Sequence, residues 1–224
     1  VGGLSQVDIK IPAGQIVAIV GESGCGKSTL ADLLERHFDP QEGQVLLDGV
    51  PMSTLLLKDV RRHVSVVPQD PFIFHASFID NVRYADPKAT DDKVRAAVDA
   101  AGLTPLLELL PDGLHTLVGE RGRQLSAGER QRLAIARAFL ADPAVIVMDE
   151  ATGALDPSSE AAVLEGYERV MKGRTTILIT HRLELARKAE RVIVIEDGRI
   201  AEDGSPELLE AEGATFRELF IDVR

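Results

Sequence analysis

The fold class of this chain is decided by the octet Gly21-Glu22-Ser23-Gly24-Cys25-Gly26-Lys27-Ser28. It follows the apolar run 16–20 and precedes a helical pattern that begins at Lys27. The octet has the form G-x-x-x-x-G-K-[ST], in which glycines let backbone N–H groups approach phosphate oxygens closely. Its lysine suits the β and γ phosphates, and its final hydroxyl suits Mg²⁺. The sequence therefore predicts a nucleotide-binding loop between a buried strand and a helix, in preference to a glycine-rich turn that binds nothing.

The composition excludes several classes of protein. A length of 224 residues predicts one large domain, or one domain with an inserted lobe. The formal net charge of -11 opposes binding to a polyphosphate backbone, so we expect no nucleic-acid partner. The single cysteine, Cys25, excludes an internal disulfide and is interpreted as a small filler residue rather than a redox sensor. No apolar run approaches the roughly 18 residues that a membrane span needs, so we expect the chain itself to be soluble.

The chain alternates helical patterns with apolar, strand-like runs, which predicts an α/β fold. The strand-like runs are 44–47, 64–67, 144–148, 175–179 and 191–195. Between about residues 71 and 140 the pattern is helical, with the clearest helices at 91–101 and 128–140 and no strand between them. We interpret this stretch as an inserted helical lobe. Further on, Asp197-Gly198 predicts a tight turn, and Ser205-Pro206 predicts a capped helix start.

Two carboxylates, Asp149 and Glu150, follow the apolar run 144–148. Ligands of parallel sheets bind at the carboxyl ends of the strands, so we expect both side chains beside the phosphate loop. There Asp149 can hold Mg²⁺ through its water shell, and Glu150 can polarise an attacking water. The pair alone would fit a solvated strand end equally well, and the phosphate loop is what favours a site.

Two further polar side chains follow predicted strands. His181 comes after the run 176–180 and could hydrogen-bond the γ-phosphate or the attacking water. Gln69 comes after the run 64–68 and carries a neutral amide that could reach Mg²⁺ or water. Either residue by itself would be interpreted as structural.

A second glycine-bearing helix start lies at Ser126-Ala127-Gly128-Glu129, which has the S-x-x-E form of a capping box. A plain cap is one interpretation. The other is an anion site, in which this helix N-terminus binds the γ-phosphate of a nucleotide held by another subunit.

Taken together, these motifs resemble the nucleotide-binding domain of ABC transporters. The octet matches that family's Walker A loop, and the runs 144–149, 125–129 and 154–156 match its Walker B strand, signature sequence and D-loop. Glu150 matches the catalytic glutamate, and His181 the switch histidine. The match covers nearly the whole chain. It implies a P-loop NTPase fold: a mostly parallel central sheet flanked by helices, an inserted helical subdomain, and an N-terminal antiparallel β portion truncated at its first strand.

The resemblance also implies boundaries and roles. Residues 1–70 and 138–224 would form the RecA-like core with the β portion, and about 71–137 the helical signature subdomain. The catalytic residues would be Glu150, His181, Gln69 and Lys27, and the Mg²⁺ ligands would be Ser28, Gln69 and Asp149. ATP would be bound by Gly21, Glu22, Ser23, Gly24, Cys25, Gly26, Lys27, Ser28, Thr29 and Gln69, and from the opposite subunit by Ser126, Ala127, Gly128 and Glu129.

Within the family, the stretch 116–122 resembles a loop of exporters whose membrane and ATPase domains are fused. This implies ATP hydrolysis that powers export, with two such domains docked head to tail around two ATPs. It also implies a transmembrane domain N-terminal to this chain in the full-length polypeptide, and a location on the cytoplasmic side of the cell membrane. Ala127, Glu129 and Gly153 depart from the family's usual residues. We expect the first strand, with its adenine-stacking aromatic, to be missing, which would weaken nucleotide binding about 5- to 150-fold.

Three alternatives stay open from the sequence. An importer ATPase would be a free-standing subunit with an intact first strand. An SMC-like, DNA-associated ATPase would need a long coiled coil between phosphate loop and signature, whereas Lys27 and Ser126 lie only 99 positions apart. A module that senses ATP without hydrolysing it would not need both Glu150 and His181.

Overall fold

The computed structural model describes residues 3–120, 122–149 and 155–220. The predicted catalytic Glu150 and the first residue of the predicted D-loop, Ala154, therefore lie outside the described residues. The strands are β1 (Ile16–Val20), β2 (Leu46–Leu47), β3 (Val50–Pro51), β4 (Val64–Val67), β5 (Ala76–Ser77), β6 (Leu117–Val118), β7 (Val145–Asp149), β8 (Thr175–Ile179), β9 (Arg191–Glu196) and β10 (Arg199–Gly204). The helices are α1 (Lys27–Leu34), α2 (Leu57–His63), α3 (Phe78–Arg83), α4 (Asp91–Ala100), α5 (Thr104–Leu109), α6 (Ala127–Ala141), α7 (Pro157–Met171), α8 (Leu183–Ala186), α9 (Pro206–Glu212) and α10 (Ala214–Leu219).

A six-stranded sheet in the order β10-β9-β1-β8-β7-β4 forms the centre of the fold. The neighbours β9, β1, β8 and β7 pair in parallel, and β10 pairs antiparallel to β9. Strands β1, β7, β8 and β9 are buried along most of their length, as expected for near-continuous apolar runs covered on both faces. The predicted α/β class with a mostly parallel central sheet is confirmed.

The hairpin between β9 and β10 turns at Asp197 and Gly198, whose φ angles are 47° and 75°. Positive φ at both central residues is the geometry of a type I′ turn, which matches the twist of antiparallel strands. The tight turn predicted from the Asp-Gly pair is confirmed. The helix start predicted at Ser205 is also confirmed, because its side chain accepts a hydrogen bond from Leu208 N and Pro206 is the first helical residue.

The described residues fall into two compact units. The sheet unit contains residues 3–66, 144–149 and 173–220, and the helical unit contains 67–120, 122–143 and 155–172. In the sheet unit, the antiparallel pairing among the described residues before β4 is confined to the short hairpin of β2 and β3. The strand predicted at 44–47 is shorter than expected, covering Leu46–Leu47.

In the helical unit, α6 packs against α7, α4 and α3. The helices predicted at 91–101 and 128–140 are present as α4 and α6, with ends that differ by one residue. The prediction of no strand between them is wrong, because β6 lies there and pairs antiparallel with β5. Each of these strands has only two residues, too few to produce an alternating pattern in the sequence.

Among the residues that the structure describes, no helix is long and apolar enough to cross a membrane.

Candidate functional site

The octet forms the loop between β1 and α1 and the first two residues of α1, as predicted. Its shape depends on three glycines with positive φ, Gly21 (153°), Gly24 (83°) and Gly26 (115°). A Cβ on Gly21 would lie 2.2 Å from Ile195 O and 2.7 Å from Cys25 Sγ. A Cβ on Gly26 would lie 2.8 Å from Leu4 Cδ2. Gly21 therefore requires glycine for steric reasons as well as for its backbone conformation, whereas at Gly26 the flexible Leu4 side chain could move and the positive φ is what favours glycine.

Lys27 directs its ammonium group into this loop. The residue is only 8% exposed, and Nζ donates hydrogen bonds to Gly21 O and Glu22 O, both at 2.7 Å. An ammonium group has three donors and forms strong bonds to phosphate oxygens. The loop itself thus holds the positive charge where a phosphate chain would be bound.

The N-terminus of α1 adds backbone donors. Gly26 is its N-cap and makes no side-chain cap hydrogen bond. Within the described part of the chain, no acceptor is found for the amide groups of Gly26, Lys27 and Ser28. The first N–H groups of a helix have no intrahelical acceptor and lie at the positive end of its dipole. These donors, together with Lys27, make a cradle suited to a polyphosphate.

The sheet register brings Asp149 and the strand before His181 to the same edge as this loop. Ile179 of β8 pairs with Ile19 of β1 on one side and with Asp149 of β7 on the other. Helix α1, which carries Ser28, packs against β7. Asp149 is half-buried, and His181 is exposed two residues beyond the end of β8. The carboxyl ends of three parallel strands thus meet at one edge, as predicted for a ligand site.

A half-buried carboxyl also lies near this edge. Burial raises the pKa of Glu35, which follows α1; His37 opposes the shift, and the carboxylates of Asp32 and Asp149 add to it. The carboxylate of Asp149 thus makes ionisation of the Glu35 carboxyl less favourable than it is in a free glutamate.

The donors at the sheet edge suit Mg²⁺. Among the described residues, no group of three or more His, Cys, Asp or Glu side chains is arranged to hold a metal. Mg²⁺ does not need such a group, because it keeps several waters and binds through one or two protein oxygens and the substrate phosphates. A hydroxyl at Ser28 and a carboxylate at Asp149 fit that pattern.

The helical unit contains the predicted signature segment at the start of α6. Ser126 Oγ accepts from Glu129 N at 3.2 Å, and Glu129 Oε2 accepts from Ser126 N at 2.7 Å. These two bonds are the predicted capping box. Gly128 is buried, and a Cβ there would lie 2.8 Å from Ser159 Cβ at the start of α7. Gly128 is therefore needed for the close approach of α6 and α7.

Gln69 also lies in the helical unit, exposed after the end of β4. Its backbone oxygen accepts a hydrogen bond from Gln131 Nε2 at 3.0 Å. The sequence analysis assigned no role to Gln131. The signal that could have found it is a polar residue three positions after Gly128, on a helix face whose other buried residues are apolar.

A second polar anchor on α6 also escaped the sequence analysis. Arg137 donates to Asn81 O and Phe72 O, both at 2.8 Å, and lies 5.7 Å from the Phe74 ring centroid and 5.9 Å from that of Tyr84. Burial lowers the pKa of Arg137 to about 10, so it stays charged at neutral pH. Phe72 and Tyr84 remain mostly exposed beside it.

Comparison with known proteins identifies the class. A protein-family model described as "ABC transporter" matches residues 4–153, well over half of the chain. The chain therefore belongs to the ABC transporter family, in which an ATP-binding domain hydrolyses ATP to power transport. The family predicted from the sequence is confirmed, and with it the binding of ATP.

Individual relatives are longer than this chain. ABC transporter B family member 19 of Arabidopsis thaliana is 47% identical over 95% of this chain and 17% of its own length. An ATP-dependent lipid A-core flippase of Chromobacterium violaceum is 43% identical over 96% of this chain and 37% of its own length. A solved bacterial Atm1-family ABC exporter with ATP bound aligns with a TM-score of 0.90 and 39% identity, over 98% of this chain and 38% of that one. The chain thus spans well under half the length of these proteins.

Proposed function

We propose that this chain is the ATP-hydrolysing domain of an ABC exporter, which powers export through a membrane domain. The observation that carries the proposal is the cradle formed by the 21–28 loop and the buried ammonium group of Lys27, at the same sheet edge as Asp149. Similarity to the Atm1-family exporter and to the lipid A-core flippase supports the direction of transport.

In this proposal, different residues of the chain have different roles in phosphoryl transfer. The backbone of residues 21–29 holds the phosphates, and Lys27 neutralises charge on the β and γ oxygens. Ser28, Asp149 and Gln69 would hold Mg²⁺, and the ion would supply positive charge to stabilise the negative charge that develops on the phosphate oxygens. Glu150 polarises the attacking water, and His181 hydrogen-bonds the γ-phosphate.

The signature segment would complete the site of a second copy or of a related domain. Two domains would dock head to tail, so that Ser126, Ala127, Gly128 and Glu129 reach the nucleotide held by the other phosphate loop. Support comes from the capped N-terminus of α6, whose backbone amides carry the positive end of a helix dipole. Without ATP we expect a monomer, because no ligand bridges the two domains and both carry net negative charge.

In this proposal, ATP hydrolysis by this chain drives a membrane domain in the same polypeptide. The relatives named above are far longer than this chain, which leaves room in each for such a domain. The chain would then act on the cytoplasmic side of the membrane, where ATP is available.

The test combines light scattering with kinetics. Glu150→Gln should still bind ATP but hydrolyse it at least about 100-fold more slowly, since general bases contribute about 10²- to 10⁴-fold. Size-exclusion chromatography with light scattering on this variant should give a dimer with Mg-ATP and a monomer without it. Wild-type activity should rise more than linearly with protein concentration.

The matched control is Glu207→Gln, which changes an exposed glutamate in the first turn of α9. It should leave turnover and oligomeric state unchanged. A Glu150→Gln variant with normal turnover would overturn the role of Glu150. A monomer in every condition, with activity linear in concentration, would overturn the head-to-tail mechanism.

A further inference from the structure

The side-chain amide of Gln131 links helix α6 to the backbone of Pro68 and Gln69. It lies on α6 and is only 3% exposed. Its Nε2 atom donates to Pro68 O at 3.1 Å and to Gln69 O at 3.0 Å. One amide group therefore holds two successive carbonyls, so the peptide between them cannot rotate without breaking a hydrogen bond.

Stability does not explain why an amide occupies this position. The other polar atom, Gln131 Oε1, is buried and has no hydrogen-bond partner among the described residues. Burying an unpaired amide oxygen is unfavourable, and an apolar side chain of similar size would avoid that penalty. Pro68 and Gln69 are exposed, so water could satisfy their carbonyls if Gln131 did not.

The neighbouring contact of α6 with this segment is weaker. Arg130 Nε lies 3.8 Å from Asp70 Oδ1, and the Asp70 side chain is almost fully exposed. Exposed ion pairs at such a distance contribute little. Gln131 is thus the main polar link from α6 to the backbone of Gln69.

We propose that Gln131 is a positioning residue for Gln69, and that through α6 it ties Ser126 to the orientation of the Gln69 side chain. The proposal rests on the proposed function, in which Gln69 acts on Mg²⁺ of its own site and Ser126 acts on the nucleotide of the opposite site. Ser126 and the backbone of Gln69 are both held to helix α6. When Ser126 contacts the nucleotide of the opposite site, it therefore restrains the position of Gln69 in its own site.

The test replaces Gln131 by methionine, which has a similar volume and no donor. Gln131→Met should lower kcat about tenfold, the loss expected for about one net hydrogen bond of positioning, and should raise the Mg²⁺ concentration for half-maximal activity. The affinity for ATP without Mg²⁺ and the melting temperature should stay near wild type. The control is Leu133→Val, which changes a fully buried side chain of α6 and leaves the amide of Gln131 in place. It should lower the melting temperature without changing the Mg²⁺ dependence.

A double-mutant cycle separates positioning from simple damage. In a Gln69→Ala background, Gln131→Met should lower kcat no further, because Gln131 acts through Gln69. Additive losses would overturn the proposal. If Gln69→Ala itself has no effect on kcat, the proposed role of Gln69 fails and the positioning role fails with it. If Gln69→Ala lowers kcat and Gln131→Met does not, only the positioning role fails.

Amide hydrogen exchange gives a readout that does not need activity. Gln131→Met should speed exchange in the peptide that covers residues 67–72, whereas Leu133→Val should leave that peptide near wild type. Unchanged exchange in this peptide for Gln131→Met would overturn the proposal.

Discussion

Helices α1 and α6 both begin at a glycine-bearing N-terminus, but they use their backbone donors differently. At α1, the N-cap Gly26 supplies no side-chain acceptor, and Lys27 lies next to the open amide groups. At α6, Ser126 and Glu129 form a closed capping box that satisfies two amide groups. The first N-terminus is open to a ligand, whereas at the second the capping box already pairs two of the amide groups.

The difference suits two sites that act at different times. Donors that no side chain competes for can bind phosphate as soon as a nucleotide arrives. Donors already paired within a capping box must exchange partners before they bind anything else. We therefore expect α1 to dominate the affinity for ATP, and α6 to matter most when a second domain is present.

The largest effect that would test this comparison is expected for Lys27→Ala. Removing the ammonium group should weaken ATP binding about 10- to 150-fold, since a charge-assisted hydrogen bond contributes about 1.5–3 kcal/mol. Calorimetric titration with ATP measures the loss. The control is Lys10→Ala, which removes an exposed lysine of the same sheet unit and should leave affinity unchanged. An affinity for ATP within twofold of wild type in Lys27→Ala would contradict the picture of α1 as a phosphate site.

The next effect concerns the packing of α6 rather than its donors. In Gly128→Ala the new Cβ would meet Ser159 Cβ at 2.8 Å and Ser159 Oγ at 3.1 Å. Overpacking of this kind should lower the free energy of unfolding by about 1–3 kcal/mol. Urea denaturation measures this change in the free energy of unfolding. Combining the change with Ser159→Gly should recover part of the loss, and strictly additive losses would show that this contact is not the cause.

A smaller effect on stability is expected at two helix N-caps that are both serines. Ser126→Ala and Ser205→Ala each remove a serine that accepts from a backbone amide three residues on, so each should lower stability by about 1 kcal/mol. Only Ser126→Ala should also lower the ATPase rate at protein concentrations where the domain dimerises. Equal rates for the two variants would argue against a role of Ser126 beyond capping.

The smallest effect is a pH dependence at the start of α7. Hydrogen bonds from Ser158 and Ser159 hold the pKa of Asp156 well below its usual range. A carboxyl with a lowered pKa in the folded state stabilises the protein above the unfolded pKa of about 3.9, and this is lost as pH falls through the folded pKa. Asp156→Asn removes the titrating group. Its melting temperature should therefore lie below wild type at pH 7 and approach it at pH 3; a constant difference would contradict the assignment.

The sequence predicted the parts of the site whose chemistry is local. The 21–28 loop, the strand ending at Asp149 and the capping box at Ser126 each lie within a few consecutive residues, so their residue types and spacing suffice to predict them. The strands β5 and β6 and the contacts of Gln131 depend on segments far apart in the chain. No local pattern marks them, and the sequence analysis missed both. The role of Glu150, which lies outside the described residues, stays a prediction.

The sequence by itself determined the family, the α/β class and the identity of the phosphate loop, because these follow from short patterns with few physical alternatives. Only the tertiary structure decided that Gly21 and Gly128 are sterically required, since the atoms that exclude a Cβ belong chiefly to Ile195 and Ser159, distant in the chain. It also decided that Gln131 holds the backbone of Gln69. Close packing and side-chain to backbone hydrogen bonds join residues by their position in space, which local sequence patterns do not encode.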